Sequence, residues 1–158
     1  MDARQVVALF DAFERHSIRA WAAGGWAVDA LVGRETRPHN DLDLAVDADD
    51  LGALLDSLAS DGFAITVDWS PARLELTATD GRIVDLHPVV FDARGAGIQS
   101  GLDGEQFHYA ADGFTVGRID GHSVPCLTAK QQLRFREGYE PRPVDLHDIP
   151  ILNDLLGG

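Results

Sequence analysis

Two aspartates, Asp41 and Asp43, flank Leu42 downstream of a Gly24-Gly25 pair. Side chains alternate between the faces of an extended strand, so residues two apart project together. On a strand spanning Leu42–Asp47 the two carboxylates would stand side by side. Like charges that close repel, and a cation between them relieves the repulsion. Mg²⁺ suits the place, because it takes oxygen ligands and completes its shell with water and substrate phosphates. The paired glycines offer a backbone that a phosphate chain can approach closely. Together these residues point to metal-assisted chemistry on a nucleotide.

A third carboxylate, Asp85, sits two residues before His87, and the same period-two argument puts both on one face of a strand over Arg82–Val90. If that strand lies beside Leu42–Asp47, Asp85 completes a cluster of three acids. Such a cluster holds Mg²⁺ against a triphosphate and helps to deprotonate an attacking hydroxyl. Each part has a plainer reading. An Asp-x-Asp in an acidic chain is more often a solvated strand edge, and a glycine pair is as often a tight turn. The combination, in this order, is more specific than its parts.

The elements that must carry these groups are legible from periodicity. Asp2–His16 has helical spacing at Val6, Val7, Leu9, Phe10 and Phe13. Arg19–Ala23 reads as a strand running into the glycine pair, Trp26–Val32 as a helix stopped near Gly33, and Arg34–Asn40 as a polar loop. After Leu42–Asp47 comes an amphipathic helix, Asp49–Ser60, with Asp49 or Asp50 as its cap. Phe63–Asp68, Arg73–Thr79 and Arg82–Val90 read as strands, the last two joined at Asp80-Gly81. Phe91–Glu105 is glycine-rich and reads as a loop. Phe114–Ile119 and Ser123–Leu127 form a second hairpin across Asp120-Gly121. Thr128–Glu137 is a helix capped by Thr128, and Asp145–Leu156 a final helix with a break or kink at Pro150. The whole is α+β, with helices against a mixed or antiparallel sheet.

A chain of 158 residues with 45% hydrophobic content is one folded domain. The net charge of −13 argues against a nucleic-acid partner and favours a cationic one. Lys130 is the sole lysine beside twelve arginines, so phosphate contacts fall to arginine, metal and backbone N–H groups. No apolar run reaches membrane-span length, and Met1-Asp2-Ala3-Arg4 lacks a signal-peptide pattern. Lone Cys126 cannot form an internal disulfide, which fits a reducing cytoplasm and a buried apolar role.

A second rank of residues surrounds the acids. Arg37 and His39 either contact phosphate or fix their loop. Arg73 and Glu75 share a strand face and either meet substrate or pair with each other. His87 touches the acceptor, assists Asp85, or is structural. Tyr139, Glu140 and Arg142 follow a helix, and Glu140 could meet an acceptor amine. Trp21, Trp26 and Trp69 are more often core than stacking platforms.

The stretch Gly24-Gly25-Trp26-Ala27-Val28-Asp29, then Gly33, then Arg37-Pro38-His39-Asn40-Asp41-Leu42-Asp43 resembles the signature of antibiotic nucleotidyltransferases of the DNA polymerase β-like superfamily. Trp69-Ser70-Pro71-Ala72-Arg73-Leu74-Glu75-Leu76, Asp85-Leu86-His87-Pro88, Pro125-Cys126 and Gly138-Tyr139-Glu140 resemble the small lincosamide nucleotidyltransferases. A weaker similarity extends to the aminoglycoside 2″-adenylyltransferases. The resemblance implies a nucleotidyltransferase fold, a mixed β-sheet flanked by helices, in a single domain. Its core would span about Gln5–Val90, with a C-terminal hairpin and helices over Phe114–Leu156. It implies transfer of AMP from ATP to an antibiotic hydroxyl, with Mg²⁺ as cofactor, pyrophosphate as product and a homodimer as assembly. By motif, Asp41, Asp43 and Asp85 would be metal ligands, Asp85 also the base, and Gly24 and Gly25 the triphosphate-binding turn. Arg37 and His39 would be nucleotide contacts, and Arg73, Glu75, His87, Tyr139 and Glu140 acceptor contacts. Phe91–Gly113 departs from the lincosamide pattern, and acceptor contacts often lie in such loops.

Three classes remain in view: a transferase acting on a lincosamide or an aminoglycoside, a toxin-type nucleotidyltransferase acting on protein or tRNA, and a non-enzymatic nucleotide-binding module. The acidic balance counts against a tRNA acceptor. The joint presence of Gly24, Gly25, Asp41, Asp43 and Asp85 counts against a module.

Overall fold

A computed structural model of the chain describes residues 1–157. Helix α1 (Ala3–Arg15) opens on a reciprocal cap. The Asp2 carboxylate accepts from the Gln5 N–H, and the Gln5 side chain accepts from the Asp2 N–H, each at 2.9 Å. Its buried stripe is Val6, Val7, Leu9, Phe10 and Phe13. Strand β1 (Ala20–Ala23) runs directly into α2 (Gly24–Val32), which ends at a left-handed Gly33. The glycine pair is therefore the first turn of the helix rather than a separate turn before it.

Strand β2 (Leu42–Asp47) leads through a short 3₁₀ turn at Ala48–Asp50 into α3 (Leu51–Ser60). Asp50 holds the N-cap position of that helix, but its side chain does not bond the first-turn N–H groups. Asp47 accepts from the Asp49 N–H, and the Asp50 carboxylate instead accepts from the Arg19 backbone and side chain. Then follow β3 (Phe63–Trp69), β4 (Arg73–Ala78), β5 (Ile83–Phe91), β6 (Gly97–Ser100), β7 (Gln106–Tyr109), β8 (Phe114–Ile119) and β9 (His122–Leu127). Helix α4 (Ala129–Phe135) carries the Thr128 cap that its sequence implied, and α5 (Pro143–Gly157) continues through Pro150 rather than breaking there. The β8–β9 turn places Asp120 and Gly121 both at positive φ, 49° and 77°, which is the demand that makes an Asp-Gly pair a hairpin signal.

One expectation is corrected. Phe91–Glu105 is not an open loop: β5 runs on to Phe91, and β6 pairs with it and with β7. The strands are only four residues each and lie between glycines, so their alternation is too short to read.

The main strand order is β3-β4-β5-β2-β1-β9-β8, with β6 and β7 attached to the outer end of β5. Neighbours β2 and β5 are parallel, while β1–β2, β4–β5 and β8–β9 are antiparallel, so the sheet is mixed. Alternation along β2 splits it between two faces. Leu42, Leu44 and Val46 join the principal core with Val6, Phe13, Trp26, Leu54 and Leu58 of the helices. Ala45 on the other face joins Val89, Tyr109 and Leu127, edged by Trp21, Phe91, Phe114 and Phe135. Asp43, between Leu42 and Leu44, projects to this second face, which the helices of the principal core leave open for chemistry.

Among the described residues no helix is long and apolar enough to cross a membrane.

Candidate active site

Strand register brings the acids together. The parallel β2–β5 pairing sets Asp43 opposite Asp85, and the antiparallel β4–β5 pairing sets Asp85 opposite Glu75. Ligand atoms of Asp43, Asp85 and His87 all lie within 4.8 Å of one another. His87 Nε2 stands 3.7 Å from Asp43 Oδ1 and 3.9 Å from Asp85 Oδ2. Arg73 Nε donates to Asp85 Oδ1 at 3.0 Å, while its Nη2 lies 3.5 Å from Glu75. The same guanidinium lies over the Trp69 ring at 4.9 Å.

Asp41 stands one residue outside β2, at the mouth of the strand, and outside that tight group. It still feels the cluster: burial first, then the charges of Asp43, Asp85 and Glu75, push its pKa up to about 6. Burial also raises Asp85, with Asp43 adding, while His87 and Arg73 pull the other way. Burial pulls the His87 imidazole down, and Asp43 and Asp85 more than reverse this. Such shifts mark negative charge in excess of the local cations. Hard carboxylate donors with surplus charge fit a divalent cation such as Mg²⁺.

Gly24 supplies the close approach. Its φ is +57°, and a Cβ at this position would collide with the Asp43 carboxylate. The residue before it, Ala23, offers no side chain to cap α2, so the first-turn N–H groups have no side-chain cap. Uncapped N–H groups beside a cation site suit a phosphate. Gly24→Ala is expected to lower turnover by about a hundredfold or more by displacing Asp43, since misplacement of about 1 Å costs that much. Steady-state kinetics beside a circular dichroism spectrum unchanged from the parent would check it.

Arg37 and His39 have partners elsewhere. Arg37 forms a two-pronged pair with Asp148 of α5, Nε and Nη2 each at 3.1 Å. His39 Nε2 pairs with the buried Asp29 carboxylate, and its ring packs 4.4 Å from Trp26. Asp29 also accepts from the Thr36 N–H and hydroxyl. Both side chains crowd Gly25, where a Cβ would strike Arg37 and His39. They thus brace the loop over the head of α2.

A cavity of about 420 Å³ opens from Gly24, Asp43 and Asp85. Of the other residues named from sequence, Arg73, His87, Tyr139 and Arg142 line it. Glu75 meets it through Arg73, and Glu140 is exposed outside the lining. Trp26 is in the principal core, Trp21 lies against Phe91 and Phe114, and Trp69 is half-exposed. Residues that the sequence reading passed over form the far wall: Gln99, Leu102, Phe107, Tyr109, Phe135 and Arg136. Four of these belong to β6, β7 and their connection, and Gln99 and Leu102 fall in the Phe91–Glu105 stretch expected to be a loop. Arg136 and Arg142 are held by α5: Asp148 takes Arg136 at 3.1 Å and Asp145 takes Arg142 at 2.9 Å.

The profile described as aminoglycoside-2''-adenylyltransferase matches residues 5–152. A lincosamide resistance protein of Staphylococcus haemolyticus is 30% identical over 152 residues, spanning 96% of this chain and 94% of its own. A 2''-aminoglycoside nucleotidyltransferase of Klebsiella pneumoniae is 39% identical over 57 residues, 34% of this chain and 32% of the relative. The crystal structure of lincosamide antibiotic adenylyltransferase LnuA, lincomycin-bound, superposes with a TM-score of 0.85 at 30% identity, covering 96% of each chain. The structure of ANT(2")-Ia in complex with adenylyl-2"-tobramycin gives 0.78 at 21% identity over 98% of this chain and 89% of its own, a likeness of fold. The α+β nucleotidyltransferase architecture is thus shared along nearly the whole length, and the chain belongs to the aminoglycoside-2''-adenylyltransferase family of antibiotic nucleotidyltransferases.

Proposed function

We propose that the protein transfers AMP from ATP to a hydroxyl of a lincosamide-type antibiotic, releasing pyrophosphate. The observation that carries this reading is the placement of Asp43 opposite Asp85, beside the Gly24 turn, on the floor of the cavity. Asp41, Asp43 and Asp85 are the residues to hold Mg²⁺, which when bound neutralises phosphate charge and polarises the phosphorus under attack. The head of α2 receives the triphosphate through its first-turn N–H groups. Asp85 takes the proton of the acceptor hydroxyl. Its carboxylate is buried and its pKa raised, which brings it nearer the basicity that a general base needs. The acceptor oxygen then bonds to the α-phosphorus as the bond to pyrophosphate breaks. Alignment of that oxygen contributes most of the rate.

The cavity wall supports the choice of acceptor. Opposite the acids it is apolar and aromatic, with Leu102, Phe107, Leu127, Phe135 and Tyr139. Glu105 is the one further acid among the lining residues. An aminoglycoside, with several ammonium groups and little hydrocarbon, calls for several carboxylates. An amphiphile with one amine and a hydrocarbon arm suits this wall better, as does the full-length relationship to a lincosamide resistance protein. A homodimer belongs to the same proposal.

An acceptor screen with labelled ATP tests the reading. Pyrophosphate release that requires both Mg²⁺ and a lincosamide is the expected result. Release with aminoglycosides alone moves the acceptor class. Labelling of protein or RNA without any antibiotic replaces the proposal with a toxin-type activity.

A further inference from the structure

We infer that His87 serves this site as a hydrogen-bond donor through Nε2 and not as a metal ligand, and that Gln99 and Tyr109 fix it in that role. The inference rests on reading the cavity as a nucleotidyl-transfer site. Proximity alone would enlist His87 as a third ligand beside Asp43 and Asp85. The hydrogen bonds behind the ring say otherwise.

His87 Nδ1 lies 3.1 Å from Gln99 Nε2. Two neighbours set which end of that amide faces the ring. The Ala72 carbonyl lies 3.4 Å from the same Gln99 Nε2, and a carbonyl only accepts. The Tyr109 hydroxyl donates to Gln99 Oε1 at 2.7 Å. Reversing the amide would set its oxygen against the Ala72 carbonyl. Tyr109 is itself buried, and burial, with Asp43 adding, raises its phenol pKa so that the hydroxyl keeps its proton.

An amide nitrogen has hydrogens to give and no acceptor site, so His87 Nδ1 accepts. A ring that accepts at Nδ1 carries its hydrogen at Nε2. Nε2 is the atom turned toward the acids. A nitrogen that bears a hydrogen has no lone pair for a cation. The group of three is therefore two oxygen ligands and one donor, and Asp41 is the remaining acid at the mouth of β2.

The donor is also unspent. At 3.7 and 3.9 Å, neither Asp43 nor Asp85 is within hydrogen-bond distance of Nε2. The N–H points into the cavity between two acids, where an anionic or hydroxyl oxygen of bound substrate would accept it. Gln99 and Tyr109 act through His87 and are positioning residues.

The test uses the full ¹⁵N-labelled chain and long-range ¹H–¹⁵N spectra, with His87→Asn to assign the ring. At a pH above the raised pKa of the imidazole, the expected result is a hydrogen on Nε2 and none on Nδ1. In Gln99→Glu a carboxylate oxygen replaces the donor, and Nδ1 gains a hydrogen. That variant should lower kcat by about 10–100-fold, the range for groups that orient a site residue, with KM for ATP within about threefold. Tyr109→Phe keeps the Ala72 contact and moves kcat less. Pulsed electron paramagnetic resonance on Mn²⁺ bound to the parent should show no directly bonded imidazole nitrogen. A hydrogen on Nδ1 of the neutral ring in the parent, or nitrogen coupling to the Mn²⁺, overturns the inference while AMP transfer stands. Failure of Mn²⁺ to bind at all strikes instead at the proposed metal site, and the NMR spectra still decide the role of His87.

Discussion

Asp43→Asn is expected to cut AMP transfer by about a thousandfold or more while leaving the fold intact. The substitution keeps the shape and removes one charged oxygen of the proposed metal-binding pair that register sets face to face. Loss of about 4 kcal/mol of charge stabilisation in the transition state corresponds to that factor. Stability should move the other way. Asp43 is half-exposed, and its charge helps to push the Asp41 carboxyl above its ordinary range. Removing it relieves repulsion, so the variant should melt at or above the parent temperature without metal. Thermal melts and single-turnover assays of one preparation check both halves. An active Asp43→Asn enzyme ends the assignment of a metal ligand at this position.

The second large effect falls on the fold. Asp148 is 1% exposed, and it gathers Arg37 from the loop before β2, Arg136 from the end of α4, and neighbouring His147. Burial pushes its carboxyl up, but Arg37 and His147 donate to it and Arg136 adds its charge, so its pKa lies below the ordinary value. The sign follows: the stabilisation is present at neutral pH and is lost as acid protonates the group. Asp148→Ala leaves two arginines in and near the interior without their shared counter-charge. Such a change costs about 3–5 kcal/mol, which for a chain of this size lowers Tm by roughly 6–20 °C. Replacing the set together, Asp148→Leu with Arg37→Met and Arg136→Met, should recover most of the loss. Equal melting temperatures for the single and the triple variant would contradict the argument.

The contrast between Asp43 and Arg37 shows what the sequence makes legible. Asp43, Asp85 and His87 obey strict alternation on strands of six and nine residues, and alternation survives folding because it is a property of the backbone. Their meeting required only that two strands be neighbours. Arg37 and His39 lie as close to the acids in sequence, but their partners do not. Arg37 reaches Asp148, 111 residues away, and no local rule predicts such a pairing. The β6–β7 hairpin was hidden for another reason. Gly97 opens β6, and Gly95, Gly101 and Gly104 flank the hairpin's two strands, and glycine in such numbers is the ordinary mark of a loop. With it went Gln99 and Tyr109, whose importance lies in contacts that register creates. Glu140, attractive beside an acceptor amine, proves to be exposed outside the cavity lining.

The hairpin of β6 and β7 hangs from the outer end of β5, outside the main strand order, and yet supplies Leu102 and Phe107 to the cavity. Gln99 and Tyr109 of the hairpin reach back to His87, while Leu102 and Phe107 stand apart from the strands that carry Asp43 and Asp85. Drift confined to Leu102 and Phe107 would retune which antibiotic the proposed site accepts without touching the strands beneath. Under changing selection, a lineage built this way can broaden its resistance spectrum by editing a few residues rather than rebuilding an enzyme.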